Sequence, residues 1–464
     1  MTITMSKKLL SALFLTALAF GFGSGVRADD FKTVNVFDKV VFYDGYQGVV
    51  VDSELNDGIL RFKNSLYAVK LDPETIKDMG DNLRMEVVIG ALCDNYDRIG
   101  NVDIAFVPKG LENYEYDAVE RIEVTRFITP FMDKNKNPKE VPYEYEIANV
   151  GRILRDATLS SQYDFWLEFE LFGIPYAANQ QIRGCANRND VFEGTIDLVY
   201  SPREEAEEDG NIIVPIYVKK PEDHGNINFN NYNEVATDTL GVTTRTFEFE
   251  VPEDVADSRI YLILTNHGAG TNGEEYVRRL HIVYFDDEVI LSYKPGGVSC
   301  EPYREYNTQA NGIYSTSRSS LFWLMYSNWC PGQAVPIREL PTGALKAGKH
   351  KVMIRVPDAE FYGKDGDFRP SLYFHGVREG SIGAGVNEVW MEGPEIKLSR
   401  SGNELRFTAD ETLAEVYVHS YDGLLLDIIA GNQNRIDLRN YGNDVLILTF
   451  VTPEGRTSVK QIRL

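Results

Sequence analysis

Short apolar and aromatic runs separated by polar turns recur through almost the whole chain, and that spacing is what most constrains the fold. "KVVFYD", "MEVVIGAL", "VDIAFV", "ERIEVTRFI", "FWLEFELF" and "GTIDLVY" follow one another in the first part of the sequence. "NIIVPIYV", "RTFEFEV", "RIYLILT", "RLHIVYFDDEVILSYK", "GKHKVMIRV" and "SLYFHGV" continue the pattern. Each run has the length of a strand or a hairpin, and none extends into a heptad pattern or a strongly amphipathic helix. Aromatic residues make up 12% of the 464 residues, with 26 Tyr and 24 Phe, a composition that suits pleated, half-buried surfaces. The expected class is all-β, built from sandwiches or jelly rolls.

Three blocks emerge. The first, 29–205, closes in "SPREEAEEDG", a charged run that reads as a linker or exposed loop. The second, 206–395, repeats the style, with "FDDE" as a hairpin turn. The third, 396–464, alternates over a shorter span and reads as a small appended β-sandwich. Ahead of them, Lys7 and Lys8 precede the apolar "LLSALFLTALAFGFG" and then "VRA", the layout of an export signal at 1–28 cleaved near Ala28. The expected location is periplasmic or secreted, without membrane insertion. A net charge of -23 repels phosphate backbones, so nucleic acid is excluded as a partner.

Export permits disulfides. The cysteines are Cys93, Cys185, Cys300 and Cys330, with no CxxC pair to suggest a structural zinc site. Cys300 and Cys330 bracket the polar loop "EPYREYNTQANGIYSTSRSS", where a bridge would contribute roughly 3–4 kcal/mol by restricting the unfolded chain. Cys93 and Cys185 either pair or stay free.

Candidate chemistry begins with "DFWLEFELFGIP". With a period of two, Phe165, Leu167, Phe169 and Leu171 share one face, while Trp166, Glu168, Glu170 and Phe172 share the other. Rings beside carboxylates are what a sugar site needs, because rings stack on C–H faces and carboxylates accept from hydroxyls. An exposed strand with incidental aromatics fits this segment equally well. In "TNHGAGTNGEEYVRRLHI", a loop of small polar residues leads through two acids and two arginines into a strand. Taken alone, that stretch reads more simply as a surface turn. "DKNKNPKEVPYE" has acids near calcium-loop offsets, but Pro138 stands where such a loop needs Gly. The six histidines form no HxH or HExxH, and no GxSxG elbow is present. Carboxylates are the catalytic groups that remain, with no metal and no cofactor expected.

Three stretches resemble the bacterial peptide-N-glycosidase F family. "LCDNYDRIGNVDIAFV", followed by "RFITPF", is similar to its Cys-Asp-Glu-Trp-Asp-Arg segment and Arg-Phe-Ile-Thr-Pro strand. "GEEYVRRLHI" resembles an acid-aromatic-x-x-Arg segment of its second domain, and "NWCPGQAVPIREL" resembles the Trp-Cys-Pro-Gly segment that closes its long disulfide loop. The resemblance implies two side-by-side antiparallel jelly rolls with the active site between them. It also implies a metal-independent amidase that cleaves the bond between N-acetylglucosamine and Asn, with N-glycoproteins or glycopeptides as partners and a monomeric state. Carried over, the catalytic carboxylates are Asp97, Glu275 and Glu170. The substrate-binding residues are Arg98, Tyr96, Phe172, Arg279 and Trp329, with Glu168 as the fallback for Glu170, and Cys300 pairs with Cys330. Arg98 and Arg279 are expected to fix the catalytic carboxylates, and Asp94 to be a solvated turn acid or a local cap.

This chain departs from the family pattern at several places. Cys93 lacks its usual near neighbour, Tyr96 and Phe172 replace tryptophans, and Tyr326 stands where the family has an Arg. These departures keep a second reading open, a non-catalytic N-glycan-binding protein on the same scaffold. A copper monooxygenase of the peptidylglycine type shares the architecture but lacks its histidine ligands here.

Overall fold

Strict alternation in the sequence becomes a stack of antiparallel sheets. The computed structural model describes residues 31–48, 55–203, 210–218, 243–268, 273–309, 312–361, 366–378, 394–420, 425–442, 445–453 and 457–464. The expected export signal and most of the charged run at 201–210 lie outside the described residues.

The first sandwich contains β1 (Lys32–Tyr43), β2 (Ile59–Lys63), β3 (Leu66–Lys70), β4 (Met79–Ala91) and β5 (Ile99–Pro108). It continues through β6 (Glu120–Ile128), β7 (Glu140–Glu146), β8 (Tyr163–Leu171) and β9 (Asp190–Pro202). One sheet has the order β1-β9-β4-β7 and the other β2-β3-β8-β5-β6. Their facing sides fill with Phe37, Phe42, Val87, Ile104, Phe165, Leu167 and Phe169, all buried. Burying a side chain of this size stabilises by about 1.5–3 kcal/mol, so the alternating stripe of β8 is a main contributor to the core.

The second sandwich contains β10 (Asn211–Tyr217), β11 (Thr244–Val251), β12 (Val255–His267), β13 (His281–Phe285) and β14 (Glu288–Tyr293). It is completed by β15 (Arg338–Pro341), β16 (Gly348–Arg355) and β17 (Asp367–Arg378). Its sheets run β10-β17-β12-β15 and β11-β16-β13-β14. The expected hairpin at "FDDE" is present. Phe285 pairs with Glu288, and Asp286 and Asp287 take φ of 46° and 71°, the left-handed pair that a two-residue turn between twisted strands requires.

Two smaller sheets of the segment 396–463, of three and four strands, enclose their own core of Leu405, Phe407, Val416, Leu448 and Phe450. This unit is more than an appendage. Ile447 and Val459 pack on Ile282, Tyr284 and Met353, so it covers the outer face of the β11-β16-β13-β14 sheet.

The two large sandwiches meet through β6. Arg126 is fully buried, pairs with Glu123 at 2.6 Å, and donates across the junction to Thr265 Oγ1, the Arg369 carbonyl and Ser371 Oγ. That seam sets the cleft described next.

Candidate active site

The turn from β4 to β5 holds "CDNYDR". Its first acid, Asp94, is fully buried, which corrects the expectation of a solvated residue. Asp94 does cap the turn locally, since its Oδ1 accepts from Tyr96 N at 3.0 Å. Its Oδ2 accepts from Arg98 Nε at 2.6 Å and from Ile174 N at 2.7 Å. The turn is tied down further by a Cys93–Cys185 disulfide spanning 92 residues, a pairing left open by the sequence. With Asp94 facing inward, Asp97 is half-buried and faces the cleft.

The connection from β12 to β13 repeats this division of labour. Glu274 is fully buried and takes Arg279 at 2.8 and 3.1 Å, together with the backbone N–H groups of Glu360 and Phe361. Its neighbour Glu275 lines the cleft. The arginines expected to fix the catalytic carboxylates therefore fix the acids beside them. Arg98 holds Asp94 and Arg279 holds Glu274.

The third acid, Glu170, ends β8 opposite Leu66 and Asn101, is 5% exposed, and reaches the cleft. Glu168, two residues earlier on the same face, does not. It is buried against Arg121 at 2.8 Å and Tyr114 Oη at 2.6 Å. Trp166 is likewise covered, with the Tyr114 ring 5.4 Å from its own. The outer face of β8 is thus an enclosed polar layer, and only its end at Glu170 and Phe172 opens to the cleft.

Asp97, Arg98, Glu170, Phe172, Glu275 and Trp329 line one cavity of about 450 Å³ between the sandwiches. Tyr96 is not in that lining. Its ring lies 5.4 Å from the Arg98 guanidinium and 6.4 Å from Tyr176, behind the turn. Trp329 is held by its Nε1, which donates to the Asn266 carbonyl at 2.9 Å, and it directly precedes Cys330 of the loop closed by Cys300–Cys330.

Burial, and then the negative charge of Glu275, push the Asp97 carboxyl up to about 7. The Arg98 charge opposes this but is directed mainly at Asp94. Near neutral pH the cleft therefore holds a carboxyl that is about half protonated beside other acids, an arrangement suited to acid–base chemistry.

Lys63, His267, Arg369 and Tyr46 also line the cavity, beyond the residues expected from the sequence. His267 and Arg369 arrive on β12 and β17, and nothing in the local sequence marks their ends as adjacent to Asp97. Tyr46 carries a readable signal in "DGYQG". A Cβ at Gly45 would stand 2.3 Å from the Phe172 ring, so glycine lets Phe172 sit in the wall while Tyr46 packs edge-on against it at 5.2 Å.

Known proteins resemble this chain in sequence domains and in fold. The family model "Peptide-N-glycosidase F, N terminal" matches residues 33–185, and "Peptide-N-glycosidase F, C terminal" matches 231–374. A solved structure of PNGF-II aligns at 19% identity with a TM-score of 0.53, covering 75% of this chain and 66% of that one, just under two thirds. PNGase F from Flavobacterium meningosepticum aligns at 13% identity with a TM-score of 0.50, covering 75% of this chain and 96% of that one. At those identities the likeness is one of fold. A comparison with curated proteins returns no match. With both family domains matched in order over most of the chain, and the cleft lying between them, the chain belongs to the peptide-N-glycosidase F family.

Proposed function

We propose that this protein is a peptide-N-glycosidase that hydrolyses the amide bond between N-acetylglucosamine and Asn in N-glycoproteins or glycopeptides. One observation carries the reading: Asp97 and Glu275 come from different sandwiches into one cavity, where burial and the Glu275 charge raise the Asp97 carboxyl to about 7. An amide is a weak electrophile with a poor leaving group, so hydrolysis needs an activated water and a proton for the departing nitrogen. Glu275 takes a proton from water as its oxygen adds to the Asn side-chain carbonyl carbon. Asp97 hands its proton to the amide nitrogen as the C–N bond breaks. The products are Asp and a glycosylamine. Glu170 accepts from hydroxyls of the chitobiose core, and Phe172 and Trp329 supply ring faces for the sugar C–H groups. No metal or cofactor takes part in this reading.

The matched domains at 33–185 and 231–374, with the separate core of the last segment, also support a division at 29–205, 206–395 and 396–464. The two disulfides suit an oxidising, exported location. We take the working unit to be a monomer.

The substitution at Tyr326 favours one rival, a glycan-binding protein without turnover. Mass spectrometry of a denatured N-glycoprotein incubated with the mature chain decides between them. Free glycan with an intact chitobiose end, and Asn converted to Asp in the peptide, establishes the amidase. Retention of one N-acetylglucosamine on Asn, or binding without release, overturns it.

A further inference from the structure

Glu275 is gripped from the far side of the cleft by a segment that does not itself enter the chemistry. Ser327 Oγ donates to the Glu275 carbonyl at 2.8 Å, and Asn328 N donates to the same oxygen at 3.1 Å. The Asn328 side chain, 6% exposed, gives its Nδ2 to the carbonyls of Glu275 at 2.6 Å and Glu274 at 2.7 Å. Three donors on one carbonyl fix the tilt of that peptide plane, and with it the direction in which the Glu275 side chain leaves the backbone. The gripping segment is itself anchored, by the Cys300–Cys330 disulfide and by Cys330 N donating to Gln333 Oε1 at 2.9 Å.

The same segment reaches the residue after Glu275 through a phenol pair. Tyr326, at the end of the helix Ser320–Met325, lies with its ring 5.7 Å from that of Tyr276 and nearly edge-on. Tyr276 directly follows Glu275 in the chain, so this ring pair packs beside the acid. Both phenols are held well above their ordinary range, first by burial and also by the negative charge of Glu275 and Asp97.

We propose that residues 326–328 are a positioning clamp for Glu275, with Ser327 and Asn328 setting its backbone and the Tyr326–Tyr276 pair packing beside it. The inference rests on the amidase reading for its kinetic consequence, not for its geometry. A neutral phenol steadies a carboxylate without cancelling its charge, whereas an arginine at 326 would cancel it. The charge matters because Asp97 feels it. Asp97 also faces Arg98, Asp94 and the two phenols, and it shares the cavity with Lys63, Glu170, His267 and Arg369. A cation placed at Tyr326 would stand against Tyr276, the residue that follows Glu275.

The test uses the full mature chain and the variants Asn328→Ala, Ser327→Ala, Tyr326→Phe and Tyr326→Arg, each checked for an intact Cys300–Cys330 bond. Amide hydrogen exchange over residues 273–279 is expected to quicken about tenfold or more in Asn328→Ala as the turn loosens. On a glycopeptide, kcat is expected to fall about 10- to 100-fold in that variant while KM moves less than about threefold. Tyr326→Arg is expected to move the alkaline limb of the rate profile to lower pH, and Tyr326→Phe to lower kcat without that move. Exchange and kcat within about twofold of the parent in Asn328→Ala overturn the clamp. If Asn328→Ala does not fold, Ser327→Ala and the two Tyr326 variants decide the clamp by the same two readouts. A parent that releases no glycan defeats the amidase reading, while the exchange experiment still decides the clamp.

Discussion

Arg98 closes on Asp94, with Nε 2.6 Å from Oδ2, and leaves Asp97, its own sequence neighbour, turned to the cleft. The pairing sits inside the protein, because Asp94 is fully buried and the Arg98 side chain is only 16% exposed. Truncating one partner of such a pair strands the other charge, a loss of about 3–5 kcal/mol. Arg98→Ala should therefore destabilise the fold by that order in a urea titration. It should also disorganise the turn that presents Asp97, so glycan release should fall even where the variant remains folded. A variant with parental stability would place the Asp94 charge outside the interior.

Burying Asp97 costs the fold stability at neutral pH. Its carboxyl titrates at about 7 in the folded chain against 3.8 for an ordinary Asp. The sign follows from linkage: below 3.8 both states are protonated, and between 3.8 and about 7 the unfolded chain releases the proton that the fold retains. Stability is thus lost as pH rises through that window, by at most about 4 kcal/mol. Asp97→Asn should abolish glycan release and raise the Tm at about pH 8, with little gain at about pH 4. Carboxyl NMR titration should find the Asp97 midpoint near 7 in the parent. In Glu275→Gln the midpoint should be lower, because the second-largest cause of the shift has been removed.

The all-β class and the core face of β8 are legible in the sequence because alternation is a local signal. Phe165, Leu167, Phe169 and Leu171 all enter the first core. The outer face of the same strand is not legible in this way. Whether Trp166 and Glu168 meet water depends on Tyr114 and Arg121, residues of a distant loop and strand that no local pattern ties to them. The acids of the cleft stand out in the sequence, but their partners do not. Asp94 and Asp97, or Glu274 and Glu275, differ only in which one the turn points inward, so the choice made by Arg98 and Arg279 is a matter of backbone geometry. Four cysteines permit three pairings, and the bond joining Cys93 to Cys185 across 92 residues becomes evident only once the chain is folded.

Gly45 shapes the cavity wall through the side chain it lacks. A Cβ there would stand 2.3 and 2.4 Å from two atoms of the Phe172 ring, closer than any real contact, so the ring must swing away. Gly45→Ala should move Phe172 into the cleft and raise KM for a glycopeptide by about tenfold, the effect of about 1.4 kcal/mol of lost binding. Because the chemistry lies elsewhere, kcat should change little. Gly45→Ala combined with Phe172→Ala should not be worse than Phe172→Ala alone, since the clash is then gone. An additive loss in the double variant would mean that Gly45 acts through something other than the ring.

Arg126 ties the two sandwiches together from the buried middle of their junction. It is fully buried and salt-bridged to Glu123 within the first sandwich, and it reaches Thr265 Oγ1 at 2.8 Å and the Arg369 carbonyl at 2.7 Å in the second. Arg369 also lines the cavity, so the seam and the cleft share a residue. Arg126→Met keeps much of the volume but leaves Thr265 Oγ1 and the Arg369 carbonyl without this donor, and leaves the buried Glu123 carboxylate with Ser371 Oγ but no cation, a loss of about 3–5 kcal/mol. Pairing it with Glu123→Leu removes the stranded carboxylate and should restore most of the stability. Activity should not return with it, because the bonds of Arg126 and Glu123 across the junction beside the cavity are still missing. Thermal unfolding of the single and double variants, read beside glycan release, separates the two effects. Recovery of both together would mean that the cleft is held by apolar packing and not by this arginine.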